Sequence, residues 1–163
     1  MLRRRFVPLV AVLFLAAVAL IRTQVAGSFP EDFLLIASAG GIPPWKENRS
    51  IELLADGTGT CFVTHPQHRD VGPMVPNGRF KLSDAEMDTL TDVINTSGFF
   101  SLDHEFLSDT EDGTYAFLEI TMNGQANQVQ SENVAVPGVD DIIVALNSMV
   151  PKACRLEYNA ILP

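Results

Sequence analysis

The chain has 163 residues, with 11 Lys and Arg against 20 Asp and Glu, a formal net charge of −9, and 2 cysteines. That length suits one domain with a real core. The acidic balance excludes nucleic acid and anionic lipid as natural partners of its surface, because like charges repel.

Met1-Leu2-Arg3-Arg4-Arg5 precedes an uncharged run from Phe6 to Ile21. A positive start and an apolar run describe an export signal, and Val25 with Gly27 offers a cleavage site before Ser28. The run spans roughly 24 Å as a helix, against a hydrocarbon core of about 30 Å, and Pro8 interrupts it. Two readings therefore stand for residues 1–27: a cleaved signal peptide, or an N-terminal membrane anchor. Both carry residues 28–163, a single domain, out of the cytoplasm to a secreted or periplasmic place. Arg3-Arg4-Arg5-Phe6-Val7 touches the twin-arginine export pattern, but the strongly apolar stretch behind it argues against that route. No cysteine lies near the cleavage site to accept lipid. Loss of Arg3, Arg4, Arg5 and Arg22 leaves 7 Lys and Arg against 20 Asp and Glu, a net charge of about −13.

Phe33 to Ser38 reads as an apolar strand closed by Gly40-Gly41, and Ile42-Pro43-Pro44-Trp45 as extended chain. Ile51 to Ala55, Asp56-Gly57 and Thr58 to Thr64 form a hairpin signal. His65 to Asn77, with three prolines, reads as a long polar connection, and Arg79 to Leu82 as a short strand. Ser83-Asp84-Ala85-Glu86 is a capping box that starts a helix. Met87, Leu90 and Ile94 line its apolar face, Gly98 caps its end, and Phe99-Phe100 turn towards the core.

Tyr115 to Met122, Asn123-Gly124 and Gln125 to Glu132 form a second hairpin. Pro137 opens a second helix with a stripe of Val139, Ile142, Ile143, Leu146 and Val150, and Pro151 stops it. Cys154 to Tyr158 reads as an edge strand or an ordered tail. The two hairpins align at an offset of 67, Ile51-Glu52-Leu53 beside Leu118-Glu119-Ile120. The economical fold is α+β: an antiparallel sheet of two hairpins and short strands, with two helices packed on one face.

Cys61 and Cys154 are an even pair in an exported chain, which predicts a disulfide. The Asp56-Gly57 hairpin, Phe80 to Glu86, Gly98 to Leu102 and the Ile120/Gly124/Val129 hairpin resemble a group of uncharacterised bacterial exported domains over residues 50 to 150. The Cys-Pro-x-Tyr stretch of that group is missing here. The resemblance implies a fold and a compartment and no activity.

Chemistry has few candidates. His65-Pro66-Gln67-His68 suits a turn that brings two imidazoles together, with Asp70 as a third ligand for Zn²⁺ or Cu²⁺. Cys61 is a poor fourth ligand on distance. Asp109 to Gly113 puts glycine at position 5 of a Ca²⁺ loop that needs it at 6, so the EF-hand register fails. No nucleophile elbow, P-loop, dinucleotide fingerprint or zincin motif occurs.

Two surfaces suit a partner: Asp84, Asp88 and Asp92, spaced at i, i+4 on the first helix, and Trp45 on its proline-stiffened loop. The sequence reading is an extracytoplasmic, non-catalytic binding module for a protein or envelope component. It touches the membrane only through an uncleaved N-terminal segment. The alternative is a metal-binding protein using the His65/His68 turn.

Overall fold

The computed structural model describes residues 30–41, 48–67, 70–109 and 113–157, the side chains of 65–71 aside. The signal or anchor segment and Trp45 lie outside the described residues. Strands β1 (Leu34–Gly41), β2 (Asn48–Leu54), β3 (Thr58–Gln67) and β4 (Asp70–Lys81) form an antiparallel meander. Helix α1 (Asp84–Thr96) follows, then β5 (Glu105–Leu107), β6 (Thr114–Met122), β7 (Gln125–Glu132) and helix α2 (Pro137–Met149). The described strands make one sheet in the order β4-β3-β2-β1-β6-β7-β5, antiparallel except for the β5–β7 pair. The fold is mixed α+β.

β1 is the axis of the sheet. β2 and β6 pair with its two sides, and each β1 residue from Leu34 to Gly40 meets partners 67 apart: Ala37 lies between Ile51 and Leu118, Ile36 between Glu52 and Glu119. The offset that aligns the two hairpins in sequence is thus their register across β1.

Alternation sends Leu35, Ala37, Ile51, Leu53, Cys61, Leu118, Ile120 and Val129 to one face, where all are buried. They share a single core with Met87, Leu90 and Ile94 of α1 and with Val139, Ile142, Ile143 and Leu146 of α2. Burying each such aliphatic side chain contributes about 1.5–3 kcal/mol. The capping box forms as read: Glu86 N donates to Ser83 Oγ at 3.4 Å and Ser83 N to Glu86 Oε2 at 2.8 Å. The Ser83 amide, and the Ser83 hydroxyl donating to the same Oε2 at 2.7 Å, favour the charged form and hold the Glu86 carboxyl below its ordinary range. Gly98 ends the helix at φ 73°. The helices approach closely at Gly138, where a Cβ would sit 2.7 Å from the Ser97 carbonyl oxygen.

Cys61 and Cys154 are joined, with Cα atoms 5.3 Å apart. The bridge holds the C-terminal tail on the core side of β3. Asn147 grips the tail further, donating to the Leu156 carbonyl at 3.0 Å and accepting from Leu156 N at 2.8 Å.

Three expectations need correction. Residues 65 to 77 are not a polar connection: β3 runs to Gln67 and β4 starts at Asp70. β4 is the sheet edge, where Pro73 and Pro76 are tolerated because only one side must pair. Of the two readings for Cys154 to Tyr158, the edge strand does not form over the described residues: Arg155 to Glu157 is an ordered tail after a 3-10 turn, Lys152–Cys154. A parallel strand, β5, joins the edge. Its placement comes from Asn127, which is buried and donates to the carbonyls of Phe99 and Leu102 at 2.8 and 3.1 Å. That pair of bonds delivers the chain alongside β7, where Gln130 N takes the His104 carbonyl at 2.8 Å.

Candidate functional site

Residues of opposite parity on the central strands form the second face of the sheet. Pairing sets them in rows. One row is Thr60, Glu52, Ile36, Glu119 and Gln128; the next is Phe62, Ser50, Ser38, Phe117 and Gln130; a third is Thr64, Asn48, Gly40, Tyr115 and Glu132. Ile36, Phe62, Phe117 and Tyr115 remain half-buried here, and Met74 of β4 is 57% exposed. The helices cover the other face. Ile36 of β1 and Phe117 and Tyr115 of β6 thus put apolar groups on this second face as well, and no described helix covers it.

Two hollows of about 270 Å³ each indent this open face. They share Ser38, Ser50 and Met74 and so form one groove. Glu52 stands at one end with Ile36 and Phe62; Glu132 stands at the other with Tyr115, Asn48 and Thr64. Ser50 is 7% exposed, and among the described residues its hydroxyl donates only to the Met74 thioether, at 3.5 Å. A thioether is a weak acceptor. Asn48 Oδ1 is enclosed and accepts no hydrogen bond among the described residues. Burying a polar atom without a partner costs free energy, so the groove floor is polar where a closed core would not be.

Burial raises the Tyr115 phenol above its ordinary value, and the neighbouring Glu132 adds to the rise. Glu132 itself accepts from Gln130 Nε2 at 3.1 Å. Arg49 alternates to the opposite face, where it meets Glu157 at 3.2 Å and the Arg155 carbonyl at 3.3 Å. Arg79, opposite Thr60, and Lys81, opposite Thr58, put cations of this face on edge strand β4, beyond the Glu52 end of the groove.

Asp84, Asp88 and Asp92 are exposed on α1, away from the groove. His65 and Asp70 sit in β3 and β4, but His68 and the side chains of both lie outside the described residues. Backbone pairing of Gln67 with Asp70 brings that segment together without defining a ligand set. The described residues contain no group of three or more His, Cys, Asp or Glu placed to hold a metal ion. Cys61 is committed to the disulfide, which removes it both as a fourth metal ligand and as a nucleophile. No described helix is long and apolar enough to cross a membrane.

The groove residues were missed because none belongs to a chemical motif. Their signal lay in composition: Phe33-Leu34-Leu35-Ile36-Ala37 and Tyr115-Ala116-Phe117-Leu118 are apolar at consecutive positions. A strand covered on one face alternates, and one meant for burial on both faces does not. The chain matches no protein family model and no curated protein.

Proposed function

We propose that residues 28–163 form an exported, non-catalytic binding module whose open sheet face holds a protein or envelope component. The observation that carries this reading is the set of apolar side chains Ile36, Phe62, Phe117, Tyr115 and the 57% exposed Met74 on a sheet face that no described helix covers. A contiguous apolar patch left in water marks a contact surface. The Cys61–Cys154 bridge fits an oxidising compartment outside the cytoplasm. The N-terminal signal-like segment fits the same compartment, and the resemblance to exported domains adds no activity. The absence of any catalytic motif in the sequence favours binding over turnover.

The test is a pull-down from an envelope fraction with immobilised mature domain. Wild type and Asp88→Lys are expected to retain the same partner, and Phe62→Asp/Phe117→Asp to lose it. A partner lost with Asp88→Lys and kept by the double variant would move the contact to α1 and refute the sheet-face reading.

A further inference from the structure

We propose that the groove takes an extended segment of a partner protein whose basic side chains reach Glu52 and Glu132 and whose apolar side chain seats beside Phe62 and Met74. This rests on the sheet face being the contact surface, and it adds the chemistry of the partner.

Charge sets the first requirement. Glu52 and Glu132 cap the two ends of the groove, and neither has a salt-bridge partner among the described residues. Arg49, among the lining residues, is turned to the far face and held by Glu157. A mature chain carrying about −13 adds a long-range field of the same sign. A carboxylate seated beside Glu52 or Glu132 would meet repulsion, the cations Arg79 and Lys81 lying past the Glu52 end on β4; an ammonium or guanidinium gains a charge-assisted hydrogen bond at each glutamate.

Polar satisfaction sets the second. Between the carboxylates the groove is lined by Ser38, Ser50 and Thr64, and among the described residues the Ser50 hydroxyl has only a sulfur to serve it. An extended backbone brings an N–H and a C=O at every residue, the groups that pair with such hydroxyls.

Span sets the third. Glu52 and Glu132 are two rows apart along the strands and three strands apart across the sheet. At about 3.3 Å per residue and about 4.8 Å per strand their Cα atoms lie roughly 19 Å apart. A compact amine touches one end only. About six residues of extended chain reach both. The shared middle, walled by Met74 and Phe62, accepts the apolar side chain between them.

The probes are acetylated, fluorescent octapeptides whose odd positions share one face of the extended chain: a Lys-Val peptide with Lys at positions 1 and 7, Val at 3 and 5 and Ser elsewhere, a Glu-Val peptide with Glu for both Lys, and a Lys-Ser peptide with Ser for both Val, each titrated by anisotropy against the disulfide-intact mature domain. The Lys-Val peptide is expected to bind, to weaken as ionic strength rises, and to lose about tenfold in affinity with Glu52→Gln/Glu132→Gln. Those substitutions are nearly isosteric, and unchanged thermal unfolding confirms that the variant is folded. Phe62→Ser is expected to weaken the same peptide, and Asp88→Lys/Asp92→Lys to leave it unchanged. Equal loss with the helix variant would reduce the binding to diffuse attraction by an acidic surface and overturn the proposal. Equal affinity for the Glu-Val peptide, abolished by Phe62→Ser, would keep the sheet face as the contact and reject the basic partner. No binding by any of the three peptides overturns the proposed chemistry. In that case, a pull-down partner still lost with Phe62→Asp/Phe117→Asp leaves the sheet-face reading intact.

Discussion

Replacing both cysteines, Cys61→Ala with Cys154→Ala, tests how the C-terminal tail is held. The bridge spans a sequence separation of 93. A loop of that length restricts the unfolded chain by about 4–5 kcal/mol on the entropy model. Each of the tail's other fastenings is smaller, the largest being Leu156, whose burial in the core contributes about 1.5–3 kcal/mol. The exposed Arg49–Glu157 pair contributes about 0–1 kcal/mol. The two Asn147–Leu156 bonds contribute about 1 kcal/mol each. Against a total of about 5–15 kcal/mol for a domain of this kind, losing the bridge removes a large share. Urea unfolding should show a markedly lower midpoint for the double variant. Reductant should bring wild type to the same curve while leaving the variant unmoved. Two titratable thiols in the oxidised wild type, or a midpoint indifferent to reductant, would refute the reasoning.

Gly78 faces the same bridge: a Cβ there would lie 3.2 Å from Cys61 Sγ and 3.3 Å from Cys154 Sγ. Gly78→Ala should cost about 1–3 kcal/mol by overpacking, and the cost should shrink in the cysteine-free background; equal costs in both would break the link. Tyr115 should ionise above the ordinary 10.0 in a UV difference titration referenced to Tyr115→Phe, with burial the larger cause. Because the folded value is raised, its share of stability is complete below the ordinary phenol range and is lost as pH climbs through the raised value. Glu132→Gln should return it only part-way, and an unshifted phenol in wild type would contradict the burial of this groove wall. Elemental analysis of untagged protein should find Zn and Cu substoichiometric and unchanged by His65→Ala/His68→Ala; stoichiometric metal lost in that variant would support the metal alternative instead.

Much of the core was legible in the sequence. Met87, Leu90, Ile94 and the Val139–Leu146 stripe carry the helical period, and the Ser83/Glu86 box and Gly98 mark one helix by local bonding alone. Asp56-Gly57 and Asn123-Gly124 mark hairpins for the same reason, since the backbone must turn with positive φ at Gly57, Asn123 and Gly124. What escaped depends on partners far along the chain. Pro73 and Pro76 read as breakers until β4 is known to be an edge, and Pro66 until β3 is seen to run on beyond Thr64, its last described pairing with β2. β5 forms because Asn127 grips the Phe99 and Leu102 carbonyls. The groove escaped for a related reason: Ser50, Phe62, Met74 and Glu132 come from four strands, and only the register across β1 and its neighbours brings them to one face.

The most direct test is photo-crosslinking in intact cells of the native host, with a benzoylphenylalanine placed in turn at Phe62, at Phe117 and at Asp88. A discrete adduct outside the cytoplasm from the first two positions, and none from the third, is the predicted result. An adduct from position 88 alone, or a chain found free and full-length in the cytosol, would contradict the account.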